Sequence, residues 1–292
     1  MNSRILINRF EYYAPTTVEK AVDLLSRHAI DGKPIAGGTD LLVQMKQETL
    51  HPRVLVSIRD IPELQEISFN SGLQIGSAVV FRDLIQICSE HEEWLGLFEA
   101  LRSLATVSIR NLATIGGNLC NASPAADSAP SLLALGATVC LMGPDGERIL
   151  PLCKFFEGPG RTLARPDEIM FKIVIPPLPE HSGCAFEKVA GVGAGIAKVN
   201  AAAFVTREGD TCTSCRIALG SVAPIPMRLE QAEALLQGKI WTRELLEEVV
   251  EVAATSIRPI TDIRSTESYR KRVASNLVRS VLFRAWERTK DN

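Results

Sequence analysis

The chain has 292 residues, 46% of them hydrophobic and 23% charged, with a formal net charge of −2. That is enough for two domains around a sizeable core. The near-neutral balance and the lack of a basic patch interleaved with aromatics set nucleic acid aside as a partner. The start of the chain, residues 1–9, lacks the apolar stretch of a signal peptide, and no run approaches the roughly 20 apolar residues of a membrane span. The expected location is therefore cytoplasmic. Seven cysteines, odd in number and scattered, do not suggest a disulfide framework.

Pro15-Thr16-Thr17-Val18-Glu19 opens a helix, with Thr16 and Glu19 spaced as a capping box. Val18, Ala21, Val22 and Leu25 form its apolar face. Gly32-Lys33-Pro34 breaks it, and a short strand ending at Ala36 runs into a first glycine turn, Ile35-Ala36-Gly37-Gly38-Thr39-Asp40-Leu41-Leu42. Residues 53–58 read as a buried strand and residues 73–78 as an alternating one. Helices are expected over Phe81–Ser89 and residues 95–104. The second glycine turn follows: Ala113-Thr114-Ile115-Gly116-Gly117-Asn118-Leu119, with Pro124-Ala125-Ala126-Asp127 behind it. Residues 137–141 and 148–152 flank Gly143-Pro144-Asp145-Gly146 as a hairpin. A strand over residues 167–175 stops at Pro176-Pro177-Leu178-Pro179, the expected domain boundary. Beyond it, three strands (184–190, 196–206 and 211–222) precede helices over 229–236, Arg243–Ser256 and 267–288. Strands followed by helices imply an α+β domain.

The two glycine turns carry the chemistry. Glycine has no Cβ and tolerates positive φ, so each pair lets backbone N–H groups approach a ligand closely. Thr39, Thr114 and Asn118 add side-chain donors, and Asp127 adds a carboxylate. That inventory suits a ligand with a diphosphate and a sugar, such as a dinucleotide. Other nucleotide motifs are missing. There is no GxxxxGK[ST], and Gly191-Val192-Gly193-Ala194-Gly195-Ile196 lacks the last glycine of GxGxxG and lies between strands. Cys212-Thr213-Ser214-Cys215 has ligand-like spacing but no further ligands, and reads as strand residues. The four histidines, His28, His51, His91 and His181, show no ligand spacing, and no GxSxG occurs. No catalytic constellation emerges, so any chemistry belongs to a cofactor that the protein positions and tunes.

These residues resemble, from end to end, the FAD-binding medium subunit of the xanthine dehydrogenase or molybdenum hydroxylase family, which includes the flavoprotein subunits of carbon monoxide dehydrogenase. The likeness is carried by Phe10-Glu11-Tyr12-Tyr13-Ala14-Pro15, Ala36-Gly37-Gly38-Thr39-Asp40, Ile109-Arg110-Asn111-Leu112-Ala113-Thr114-Ile115-Gly116-Gly117-Asn118, Pro124-Ala125-Ala126-Asp127-Ser128-Ala129-Pro130, Leu219-Gly220-Ser221-Val222-Ala223-Pro224-Ile225-Pro226-Met227-Arg228 and Tyr269-Arg270-Lys271-Arg272.

The resemblance implies an α+β protein with a two-subdomain FAD-binding fold of the vanillyl-alcohol-oxidase type and a smaller C-terminal α+β domain. The expected division is residues 1–177 for FAD, in subdomains of about 1–59 and 60–177, then 178–292. Lys33, Pro34, Ile35, Ala36, Gly37, Gly38, Thr39 and Asp40 match the first diphosphate loop. Thr114, Ile115, Gly116, Gly117 and Asn118 match the second. Asp127 matches an acidic residue near the adenosine end, although its position also suits a helix cap. Ile169 matches the strand beside the flavin. Lys188 falls near the family's lysine-bearing strand, where a shift of one residue selects Glu187.

The resemblance further implies a molybdopterin-binding large subunit and a [2Fe-2S] small subunit as partners, with FAD passing electrons to NAD+ or another acceptor. In relatives a basic pair and Asp-Ile-Ala follow the lysine strand. Here Gly191–Gly195 replaces the basic residues and the Asp, which leaves acceptor preference open. Two other readings stay open: a free-standing FAD oxidoreductase, and a structural or nucleotide-binding module without redox activity.

Overall fold

The computed structural model describes Leu6 and residues 8–289. Met1–Ile5 and Ile7, read above for the lack of an apolar leader, lie outside the described residues, as do residues 290–292.

The first layer contains β1 (Glu11–Tyr13), α1 (Val18–His28), β2 (Gly32–Ile35), α2 (Leu41–Lys46) and β3 (Val54–Ser57). The strands form a parallel sheet in the order β1-β3-β2, with Tyr12 opposite Leu55 and Pro34 opposite Val56. β3 sits in the middle and is buried along its whole length, as its unbroken Val-Leu-Val run requires. α1 lays Val18, Ala21, Val22 and Leu25 into the same core as Val54 and Val56. Its cap is Thr17, not Thr16: the Thr17 hydroxyl accepts the Lys20 N–H at 3.3 Å. The apolar spacing is the same whichever threonine caps the helix, and adjacent threonines make the pattern ambiguous by one residue.

The second layer starts with β4 (Ile67–Ser68), β5 (Leu73–Gly76), α3 (Phe81–Ser89), α4 (Leu95–Ser103), α5 (Val107–Arg110), α6 (Ile115–Cys120) and α7 (Ser128–Ala134). It continues with β6 (Thr138–Gly143), β7 (Gly146–Pro151), β8 (Phe156–Gly158), β9 (Arg161–Thr162) and β10 (Ile169–Ile175). The main sheet is antiparallel, in the order β4-β5-β10-β6-β7, and among the described residues β8 pairs with β9 alone. Phe81, Leu84, Leu97, Leu101 and Leu132 from the helices meet Leu73, Ile75, Leu141 and Ile173 from the sheet. Burying each such side chain contributes roughly 1.5–3 kcal/mol.

The third layer contains β11 (Ser182–Ala190), β12 (Ala197–Glu208), β13 (Thr211–Gly220), β14 (Met227–Arg228), α8 (Glu230–Leu236), β15 (Lys239–Ile240), α9 (Arg243–Ser256) and α10 (Glu267–Glu287). The antiparallel order is β11-β12-β13-β14, with β15 on β13. This sheet is covered on both faces. Val199, Ala201, Ala203 and Val205 of β12 join the core under α8–α10, while Ala202 and Phe204 join the core of the second layer. The continuous apolar run of β12 is therefore the signature of a doubly buried strand. Glu99 of α4 closes the seam: it accepts from Arg284, from Arg288 and, at 2.9 Å, from the Phe186 N–H.

One buried cation ties the C-terminal loop to the sheet. Arg270, 3% exposed, donates to the carbonyls of Lys198 (2.6 Å) and Ser221 (3.2 Å) and to Asp262 (2.8 Å). Desolvation pushes the Asp262 carboxyl up, but Arg270 and the N–H groups of Arg264 and Ser265 outweigh it, leaving it at about 2 instead of 3.8. A folded pKa below the unfolded one gives stability above pH 3.8 that is lost as pH falls towards 2. Asp262→Asn is accordingly expected to flatten the acid limb of the unfolding curve in that window, followed by circular dichroism.

Candidate functional site

A cleft of about 870 Å³ opens between the first and second layers, within the usual range for ligand sites. Its walls are the turn after β2, the start of α6, the segment before α7, the β8–β9 hairpin, the start of β10 and the rim of loop 191–196.

Lys33 through Asp40 all line the cleft. Gly38 has φ +68°, which L side chains rarely adopt. Gly37 is needed for a different reason: a Cβ there would lie 1.9 Å from the Leu112 carbonyl oxygen. Within the described residues, the N–H groups of Gly37, Gly38, Thr39 and Asp40 donate to no protein acceptor. Four successive free amides beside a cleft form a nest suited to an anion. Burial pushes the Asp40 carboxyl above its ordinary range.

The second glycine pair is built differently from the open turn expected. Gly116 and Gly117 have no positive φ and lie inside α6, which Thr114 caps by accepting the Gly117 N–H at 3.1 Å. The Ile115 N–H donates to Val79 O and the Gly116 N–H to Ser77 O, each at 3.0 Å. The amides expected to face a diphosphate at this pair are therefore already used. Gly116 is glycine for packing, because a Cβ would come within 2.5 Å of Ser77 Cβ. What this segment offers the cleft is side chains. Thr114 keeps its hydroxyl proton, and Asn118 accepts from Ser128 through Oδ1 at 2.7 Å, leaving Nδ2 unpaired among the described residues. Thr114, Gly116, Gly117 and Asn118 line the cleft, whereas Ile115 is fully buried in the core.

Asp127 stands at the start of α7 but makes no cap bond. Its carboxylate accepts from Lys188 Nζ at 2.6 Å and from Asn200 Nδ2 at 2.8 Å. It lines the cleft although only 6% exposed. Burial pushes its pKa up, Lys188 and Asn200 pull it back, and the net result lies above the ordinary carboxylate range. Lys188 does not line the cleft. It stands behind Asp127, and its ammonium also donates to Ser103 O at 2.8 Å. Strand alternation selects Lys188 over Glu187, which faces away and accepts from Ser280 at 2.5 Å.

Ile169 lines the cleft beside Glu168. Arg148 grips Glu168 at 3.0 and 2.7 Å, and the Arg165 N–H adds 2.7 Å. Burial raises this carboxyl, but those donors win and hold it below its ordinary range. Glu157, Arg161 and Arg165 form a further wall of the cleft that the sequence does not announce. These residues sit in and just after the β8–β9 hairpin, and no motif marks it. Gln44 and Asn121, which bond each other at 3.2 Å, are unannounced for the same reason.

The free amide nest, the hydroxyl and amide donors opposite, and a buried carboxylate fit an elongated ligand with a diphosphate and a hydroxylated chain. FAD is such a ligand. Comparison with known proteins agrees. Residues 8–178 match the model of the FAD binding domain in molybdopterin dehydrogenase, and residues 185–287 match the CO dehydrogenase flavoprotein C-terminal domain. The carbon monoxide dehydrogenase medium chain of Hydrogenophaga pseudoflava is 34% identical over 96% of this chain and 98% of its own. A putative xanthine dehydrogenase FAD-binding subunit of Escherichia coli is 32% identical over 94% and 95%. The solved carbon monoxide dehydrogenase of Hydrogenophaga pseudoflava superposes with a TM-score of 0.93 at 35% identity, covering 97% of this chain and 99% of the solved one. Quinoline 2-oxidoreductase of Pseudomonas putida gives 0.89 at 27% identity, over 97% and 98%. No helix among the described residues is long and apolar enough to cross a membrane. With both layers, both glycine segments and the C-terminal sheet matched along almost its whole length, the chain belongs to the family of FAD-binding medium subunits of xanthine and carbon monoxide dehydrogenases, oxidoreductase subunits that act within complexes.

Proposed function

We propose that this chain is the electron-transfer subunit of a molybdenum hydroxylase complex, with residues 1–177 holding FAD and residues 178–292 bracing that site. A [2Fe-2S] small subunit and a molybdopterin-binding large subunit are its partners. Held in the cleft by Gly37–Asp40, Thr114, Asn118 and Asp127, FAD would supply the redox chemistry, accepting single electrons from the iron–sulfur partner and giving up a pair, as hydride, to NAD+ or another acceptor. The observation that carries this reading is the run of free amides at Gly37–Asp40 across a cleft from Asp127. In this reading those amides take the diphosphate. Thr114 and Asn118 donate to it or to the ribityl chain, and Asp127 accepts from a hydroxyl. Ile169 packs beside the flavin ring, and Lys188 keeps Asp127 in place.

Neither glycine segment nor β10 adds an acid/base pair for an organic substrate, which favours a subunit over a free-standing enzyme. The test is anaerobic addition of NADH to the purified complex. Bleaching of the flavin band supports NAD+ as acceptor. A band that resists NADH but yields to dithionite assigns the exit to another acceptor.

A further inference from the structure

β11 is an edge strand whose outer side is guarded along only half its length. Its odd-numbered residues turn their peptide groups towards β12, and its even-numbered residues turn theirs outward. The outward groups near the start of the strand are taken. The Cys184 carbonyl accepts from Arg288 at 2.6 Å, the Phe186 carbonyl accepts from Arg284 at 3.0 Å, and the Phe186 N–H donates to Glu99 at 2.9 Å. By this alternation Lys188 and Ala190 come next on the outward side, and neither has a backbone or side-chain partner for its peptide groups outside the β11–β12 ladder among the described residues. The register shifts between Val189 and Ala190, and the Ala197 carbonyl opposite Ala190 accepts from the Ser221 hydroxyl at 3.0 Å, on the side away from β11. Lys188 and Ala190 open into a groove of about 590 Å³ that runs between Ser103 and Glu99 on one side and Gly191 to Gly193 on the other.

The glycines of this rim need explaining. Neither Gly191 nor Gly193 has a positive φ, and a Cβ at either would meet nothing within 4 Å. Backbone geometry does not require them. Their effect is to leave Val192 as the one side chain larger than a methyl group between Ala190 and Gly195. Native proteins block exposed edges with charges, prolines or covering segments. Here the charged guard of Glu99, Arg284 and Arg288 stops at Phe186, and glycines follow.

We infer that the Lys188–Ala190 edge is a docking site for an extended backbone segment of the iron–sulfur partner, which adds there as a strand. Two observations select this occupant. The free N–H and C=O groups recur at every second residue, about 7 Å apart, which is the repeat of an extended chain and of no compact ligand. The same loop then continues into the cleft: Gly191 to Gly193 line the groove, and Ala194 to Ile196 line the cleft rim. A chain seated on the edge therefore touches the loop bordering the proposed flavin site, where an electron donor has to approach.

This inference rests on the proposed function, and the experiment separates the two. Residue-resolved hydrogen exchange is measured on the isolated chain and on the complex purified through a tag on this chain. The amides of Lys188 and Ala190 are expected to exchange quickly in the isolated chain and at least about tenfold more slowly in the complex. Those of Glu187 and Val189, bonded to β12, stay slow in both. Ala190→Pro removes one outward N–H, a change tolerated on an edge. It is expected to keep flavin and melting temperature and to lose the iron–sulfur chain. A complex containing iron and flavin whose Lys188 and Ala190 amides stay fast overturns the docking site alone. A chain that purifies with flavin but with no partner overturns the subunit reading and the docking site together.

Discussion

Gly37→Ala is expected to purify largely without flavin. The new Cβ would lie 1.9 Å from the Leu112 carbonyl oxygen and 2.6 Å from its carbon, both backbone atoms that cannot rotate away. The first loop and the segment leading into α6 must then separate, and the amide nest moves with the loop. Overpacking of this kind costs about 1–3 kcal/mol, which, taken from binding, corresponds to a flavin Kd raised roughly 5- to 150-fold. Gly193→Ala is the control, since a Cβ there meets nothing within 4 Å. Flavin absorbance per chain and titration of the apoprotein with FAD measure both. Equal affinity in the two variants would mean that the approach of these segments does not shape the site.

Lys188→Met is expected to be the most destabilising single change in the site. Lys188 and Asp127 side chains are 5% and 7% exposed, and their contact is 2.6 Å. Removing one partner leaves the other charge buried, at a cost of about 3–5 kcal/mol. Replacing both, as Lys188→Met with Asp127→Leu, is expected to recover most of the stability but not the flavin, because the carboxylate facing the cleft is gone. A double-mutant cycle in thermal unfolding, with flavin content read in parallel, separates the two roles. If Lys188→Met melts like the wild type, the pair is not the buried anchor described.

The elements with strong local patterns were legible in the sequence. The bounds of α3 and α9 follow from apolar residues at helical spacing, and the β6–β7 hairpin follows from Gly143-Pro144-Asp145-Gly146. The second glycine pair reads as an open turn in the sequence but lies inside α6, because Gly-Gly serves equally for a left-handed turn and for close packing. Which one applies depends on Ser77 and Val79, whose carbonyls take the Gly116 and Ile115 amides and are far away in sequence. Lys188 and Asp127 were both flagged by resemblance, but their ion pair joins residues 61 apart, which spacing does not disclose. The β8–β9 wall was invisible because a two-stranded ribbon with ordinary residues leaves no signature.

The measurement that bears most directly on the account is the identity and stoichiometry of flavin released from the purified protein. The free amides at Gly37–Asp40 suit an anion, and the proposed function assigns them the diphosphate of FAD. One FAD per chain, released on denaturation and rebound by the apoprotein in preference to FMN, is the predicted result. A protein that carries FMN, or no flavin and no capacity to take up FAD, would contradict it.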